Sequence, residues 1–206
     1  MASDPDHGHA ADNYQTDSGY IVHSLRDSAS WQHDLSLNDA NLLTLGLDYT
    51  TENGESEGSY KEKSDSTALF TQYQWSSEQL DLLVGARSDN FRGLGQHETG
   101  TITLGGKVGD GHIYTSYSTA FKSPTFLQRY YPTYGNPNLL AEDSVTTELG
   151  YRIGGLQASI FDTRVDNLIE FDWPAGYSNL SRALIKGSEL EYGRQVGSWH
   201  LNGGLT

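Results

Sequence analysis

Over residues 41–51 apolar and polar side chains take turns: Leu43, Leu45, Leu47 and Tyr49 fall on one side of an extended backbone, Thr44, Gly46, Asp48 and Thr50 on the other. The same period returns over 80–89, where Leu80, Leu82, Val84 and Ala86 oppose Asp81, Gly85, Arg87 and Asp89. It returns again over 144–152, with Val145, Thr147, Leu149 and Tyr151 against Thr146, Glu148, Gly150 and Arg152. A side-chain period of two marks a strand with unlike faces. The pattern predicts strands near 28–36, 41–51, 64–75, 80–91, 97–106, 111–121, 144–152, 156–171, 182–194 and 199–206. No apolar set recurs at i, i+3, i+4, i+7 over two turns, so the reading is all-β.

The connections alternate in length. Residues 37–40, 76–79, 106–110, 153–155 and 195–198 read as tight turns; 52–63, 92–96, 122–143 and 172–181 read as longer, polar loops. An antiparallel up-and-down meander then gathers the tight turns at one end and the long loops at the other. That asymmetry, with about ten strands of membrane-crossing length, is the habit of a transmembrane β-barrel, here a partial one. Trp75, Tyr151, Tyr192 and Trp199 lie beside the tight turns, where amphipathic rings would form an interfacial girdle. Asp81, Arg87, Glu148, Arg152, Glu189 and Glu191 recur mid-strand opposite the aliphatics. They are costly in a dry core and at home in a wet lumen. The alternative is a soluble, acidic β-sandwich or sheet module that buries the Leu43/Leu45/Leu47 face against a second sheet.

The longest interruption begins at Lys122. Pro124, Pro132 and Pro137 withhold ladder donors, and Gly135-Asn136-Pro137-Asn138 is turn chemistry. Loops of this length inside an ordered fold are usually functional. Residues 1–18 are polar, with His7 and His9 among Asp4 and Asp6, and read as a disordered lead-in; a His/Asp metal site is the weaker reading. The incomplete barrel then occupies 19–206.

Composition narrows the function. A formal net charge of -14 argues against nucleic acid, whose phosphates need clustered Lys and Arg, so no nucleic-acid partner is expected. Zero cysteines exclude disulfides and thiolate metal sites. No stretch approaches the ~20 apolar residues of a spanning helix, and no charged-then-apolar leader is seen. No Gly-x-Ser-x-Gly or His-Glu-x-x-His frames a nucleophile or metal, and His33 and Asp34 point to opposite faces of a strand, so no enzyme is expected.

The segment Ala120-Phe121-Lys122-Ser123-Pro124-Thr125, then Tyr130-Tyr131-Pro132, then Gly135-Asn136-Pro137-Asn138-Leu139 with Glu142, resembles a stretch of TonB-dependent outer-membrane receptors, nearest their cobalamin-receptor branch. Leu42–Tyr49, Asp162–Ile169 and Ala183–Glu191 resemble further stretches of that family in the same order. The resemblance implies an active transporter of the bacterial outer membrane. It would bind a scarce nutrient (cobalamin first, siderophore or haem next) and be driven through TonB. The plug domain and TonB-contacting region of that family are not seen ahead of the barrel strands. The expectation is therefore a segment of barrel wall that does not transport alone.

Candidate ligand contacts are Tyr130, Tyr131, Tyr134, Asn136 and Asn138, because a large amphiphilic solute suits aromatic faces with amide donors. The competing expectation is that this loop packs on itself. Glu52, Glu55, Glu57 and Glu62 offer oxygens for calcium, but Lys61 and Lys63 stand among them and a solvated acidic loop is the stronger reading. No cofactor is expected beyond such a loop calcium.

Overall fold

A ladder of extended strands satisfies backbone donors and acceptors sideways, so what each face meets is left to the side chains. The computed structural model describes residues 15–17, 20–180 and 182–206. In chain order these form β1 (Gln15–Asp17), β2 (Tyr20–Asn38), β3 (Asn41–Ser56), β4 (Tyr60–Ser76), β5 (Leu80–Phe91), β6 (Gly95–Val108) and β7 (Gly111–Lys122). Then follow α1 (Phe126–Tyr130), β8 (Glu142–Ile153), β9 (Leu156–Asp166), β10 (Ile169–Asp172), β11 (Gly176–Asn179), β12 (Arg182–Val196) and β13 (Trp199–Leu205). One sheet runs β1 to β9 in sequence and continues to β12 and β13, all antiparallel; β10 and β11 form a separate hairpin. Among the described residues the sheet is open at β1 and β13.

Like meets like along every ladder. Leu47 stands opposite Trp31 and Leu69, and Val84 opposite Tyr73 and Ile102. Ile102 stands opposite Tyr117, Leu149 opposite Thr115 and Ile160, and Ala158 opposite Leu190. Directly opposed residues share a face, so these pairs build one apolar surface. Asp81, Arg87, Glu148, Arg152, Glu189 and Glu191 all register onto the other surface, as expected. Large aliphatics stay uncovered: Leu69 is 62% and Ile160 58% exposed. Element contacts run between ladder neighbours, so among the described residues no second layer seals this surface as a sandwich requires. Each such side chain would gain about 1.5–3 kcal/mol on leaving water.

The band has edges. Trp75, Tyr151, Tyr192 and Trp199 sit on the apolar surface at the tight-turn end, as the spacing predicts, and Tyr49 and Tyr117 mark its other margin. Beyond that margin come Thr51, Asp65 and Glu98, then the Lys186–Asp162 pair at 2.6 Å.

The polar face carries a repeated steric device. Gly46 is paired with Phe70, Gly150 with Tyr114 and Gly187 with Phe161, and in each pair the ring lies over the glycine where a Cβ would stand. The ring covers backbone that glycine leaves bare, and the glycine lets the ring lie flat. Around them run polar links. Arg87 is clamped between Asp48 at 2.6 Å and Asp89 at 2.8 Å, Ser30 donates to Asp48 at 2.7 Å, and Tyr114 donates to Glu148 at 2.7 Å.

Several boundaries differ from the sequence reading. The expected loop 52–63 is strand: β3 and β4 pair up to Ser56↔Tyr60, and the turn at 57–59 holds Gly58 at φ +72°. The loop 92–96 shrinks to a turn at 92–94. β2 begins at Tyr20 rather than near 28, because ladder pairing with β3 needs no apolar alternation. From Tyr49 to Ser56 β3 therefore stands roughly 23 Å past the apolar margin at ~3.3 Å per residue. The strand expected over 156–171 breaks after Asp166, where Asn167 takes φ +58°, and β10 turns out of the sheet. The lead-in expected over 1–18 lies outside the described residues, except Gln15–Asp17, which pairs with β2. His7 and His9 lie outside them too.

Charge placement separates the faces in experiment. Ile102→Arg is expected to cost about 2–4 kcal/mol in urea unfolding from micelles, against under about 1 kcal/mol for Thr103→Arg on the polar face. Gly150→Val, which drives a branched side chain into the Tyr114 ring, is expected to cost about 1–3 kcal/mol in the same assay.

Candidate ligand-binding mouth

At the end opposite the tight turns, the loop over 123–141 starts from Pro124, which is buried. Thr125 caps α1 reciprocally: its hydroxyl accepts from the Gln128 N–H at 3.2 Å and its own N–H donates to the Gln128 side chain at 2.8 Å. The capping box sets the helix against the tall β3 arm, where Phe126 rests on Gly54. Arg129 then lies 5.1 Å over the Tyr130 ring and donates to the Pro137 carbonyl at 3.3 Å.

The Gly-Asn-Pro-Asn turn folds beneath. Gly135 N–H donates to the Tyr131 carbonyl at 2.7 Å, Asn136 N–H to that of Gln128 at 2.9 Å, and Asn138 N–H to the Asn136 side chain at 3.0 Å. Leu139 and Ala141 end up buried. Glu142, also buried, accepts from the Ile169 N–H at 3.0 Å and pairs with Lys122 at 3.3 Å.

The β10–β11 hairpin closes on this loop. Asn179 staples the two: its carbonyl accepts from Leu140 N–H at 2.9 Å and its amide donates to Leu140 O at 3.1 Å and to Asn167 O at 2.6 Å. Tyr177 N–H donates to Tyr134 O at 2.9 Å, and the Asn136 amide to Tyr177 O at 3.2 Å. Gly176 takes φ +91° with the Tyr134 carbonyl against it, so a side chain fits there neither conformationally nor sterically. Rings gather on Tyr134: Tyr131 stacks at 6.3 Å, Phe171 meets it edge-on at 5.7 Å, Trp173 tilts onto it at 5.3 Å, and Tyr177 meets Phe171 at 5.0 Å.

Of the five residues read as ligand contacts, Tyr131, Tyr134 and Asn136 are brought together under the hairpin. Tyr130 lies at the other end, 6.4 Å from Phe126, and Asn138 is exposed on the turn. Asn136 uses both ends of its amide, accepting from Asn138 N–H in the loop and donating to Tyr177 O in the hairpin. Phe171, Trp173 and Tyr177 were not singled out from the sequence. Their aromatic spacing in an otherwise polar stretch was the available signal, but their pairing with Tyr134 is tertiary.

Two of the four glutamates of the β3–β4 arm, Glu52 and Glu55, are paired with cations. Glu55 meets Lys61 at 2.7 Å, which holds its carboxyl below the usual carboxylate range, and Glu52 meets Arg26 at 3.4 Å. Among the described residues no group of three or more His, Cys, Asp or Glu is placed to hold a metal ion. At the mouth, the Arg182 hydrogen bond keeps the Asp166 carboxyl low as well. His33 stacks on Trp31 at 6.1 Å while Asp34 accepts from Thr44 at 2.7 Å, so the two do point apart.

A family model for the TonB-dependent receptor-like β-barrel matches residues 2–206. The chain belongs to the TonB-dependent receptor family. Among curated relatives of this receptor chain, the vitamin B12 transporter BtuB of Vibrio vulnificus is 31% identical over 185 residues, covering 82% of this chain and 30% of that protein. BtuB of Vibrio cholerae is 31% identical over 168 residues, covering 78% and 28%. The chain thus spans about 30% of the length of the relatives it matches. Of solved structures, the siderophore receptor PirA of Pseudomonas aeruginosa superposes with TM-score 0.74 at 24% identity, over 90% of this chain and 41% of that one. The Serratia marcescens hemophore receptor HasR does so with TM-score 0.71 at 16% identity, over 89% and 41%. At such identities these two speak for the fold.

Asn179→Ala is expected to strand the Leu140 N–H and Asn167 carbonyl, costing about 1–3 kcal/mol locally. Trypsin cleavage after Arg129 should then accelerate about tenfold while the heat-modifiable migration of the barrel is unchanged.

Proposed function

We propose that this chain is a stretch of barrel wall from an outer-membrane receptor that takes up a scarce nutrient, with cobalamin the first candidate cargo and siderophore or haem the next. The observation that carries this is the register: across the sheet, apolar residues face one side, charged and hydroxyl residues face the other, and the elaborate loop lies at one end. A wall of this kind suits lipid outside and a water-filled passage inside. The BtuB relatives bring cobalamin forward at 31% identity. The siderophore and hemophore receptors share the fold at lower identity, which keeps their cargoes in second place.

In this reading the partners are outer-membrane lipid and a small nutrient, and energy arrives through TonB by way of a plug region outside this chain. The polar face, with its Asp48–Arg87–Asp89 bridge, is the lumen wall. The packed loop over 123–141 and the β10–β11 hairpin are the outer vestibule. The chain acts as a transport receptor and not as an enzyme.

The test is deletion of the encoding gene in its host. Growth on limiting cyanocobalamin and uptake of the labelled vitamin are expected to fall at least tenfold, with restoration by the intact gene. Unchanged vitamin uptake together with a lost ferric-siderophore or haem response would move the cargo to the second group. No change in any of the three sinks the receptor reading.

A further inference from the structure

The ladder between β6 and β7 ends at Thr101↔Ser118, yet both strands run on. β6 stays paired with β5 up to Phe91↔Gly95, and β7 with β8 up to Lys122↔Glu142. Among the described residues this is the one place where neighbouring strands of the sheet continue side by side without pairing. Across the seam the Thr119 hydroxyl stands in for the missing ladder. It accepts from the Gly100 N–H at 2.9 Å and donates to the Gly100 carbonyl at 3.5 Å, a side chain competing with the backbone for the same partner. Main-chain groups alternate sides along a strand, so the N–H of Glu98 points into the seam as well.

Higher up, a ring fills the gap. Register puts Phe121 on the apolar surface with Tyr117 and Thr119, and puts His97 and Phe91 on the polar one. The Phe121 ring nevertheless stacks on His97 at 4.6 Å, 11° from parallel, and meets Phe91 edge-on at 5.5 Å. It has crossed between the strands. A continued ladder would set Glu98 opposite Phe121 and His97 opposite Lys122, and would return the ring to the apolar surface. The exchange trades main-chain bonds at Glu98 and Phe121 for a cluster of three rings, and the net worth of each is of the same modest order. A cavity of about 350 Å³ opens at the foot of the seam, between Thr99, Gly100 and Thr101 on one side and Ser118 and Thr119 on the other, which leaves the two edges room to approach.

We propose that the upper β6–β7 seam is a two-state joint, held open by the Phe121 ring or closed by a continued ladder, and that its state sets how the loop over 123–141 sits against the β3–β4 arm. β7 carries that loop: Lys122 is tied through Glu142 to the Ile169 N–H of the hairpin, and Phe126 rests on Gly54 of the arm. A shift of residues 119–122 toward β6 therefore drags α1 along the arm. The joint goes beyond the receptor reading and holds whatever the cargo.

The experiment uses the full-length protein that contains this chain, in detergent micelles, with Thr99→Cys and Ala120→Cys introduced together; the chain supplies no cysteine of its own. A continued ladder makes these a non-hydrogen-bonded pair with Cα atoms about 4.5 Å apart, within disulfide reach. Oxidation is expected to cross-link the pair and to change the rate of trypsin cleavage after Arg129 at least fivefold, with dithiothreitol reversing both. Adding Phe121→Ala, which removes the wedge, is expected to speed cross-linking at least fivefold. Should that variant lose heat-modifiable migration, Phe91→Ala, which removes the ring's edge-on partner, takes its place with the same expectation. No cross-link with or without the ring, or a cross-linking rate that the ring variants leave within twofold, overturns the two-state joint. A cross-link that leaves cleavage after Arg129 within twofold overturns its connection to the mouth. Neither failure touches the receptor reading, which rests on uptake.

Discussion

Everything in this chain depends on the sideways closure of its backbone hydrogen bonds. Once the ladder has matched each N–H to a carbonyl on the neighbouring strand, the peptide groups ask nothing of the surroundings, and side chains alone decide the medium. Alternation then sorts them with no further instruction. The same register that places Leu47 beside Trp31 and Leu69 places Asp48 beside Ser30 and within reach of Arg87. A slip of one residue would exchange the faces. Register is therefore the quantity the polar network and the glycine–aromatic pairs protect, since Gly46, Gly150 and Gly187 accept their rings at one alignment only.

Where strands carry aliphatic alternation, the sequence already showed them: β5, β7 and β8 lie within a residue or two of their expected bounds. Where the backbone ladder continues without an apolar face, the sequence was silent. The upper parts of β3 and β4 are mostly Ser, Thr, Asp, Glu, Asn and Lys, which read as loop by composition and are strand because neighbours are already aligned; that of β2 mixes His23, Arg26 and Asp27 with Val22 and Leu25. The loss of strand at Asn167 was hidden for the converse reason, since Leu168 and Ile169 sustain an apolar rhythm through a residue whose left-handed backbone turns the chain away.

The mouth was half legible. Prolines and the Gly-Asn-Pro-Asn cluster announced an ordered, folded loop, and the family resemblance fixed its kind. What local reading left out is that the loop has a second half some 40 residues later. Asn179, Tyr177 and Gly176 complete it with hydrogen bonds to Leu140 and Tyr134. No periodicity reports a contact of that range. Asn136 spends one end of its amide within the loop and the other on Tyr177 of the hairpin.

The height of the β3–β4 arm has a consequence for how this surface evolves. Its shape is maintained by main-chain pairing that most polar residues permit, so outside Gly54, which lies under Phe126, and Gly58, at φ +72°, its side chains can change while the architecture persists. Substitutions along its faces would then alter the chemistry it presents without moving the backbone that carries it.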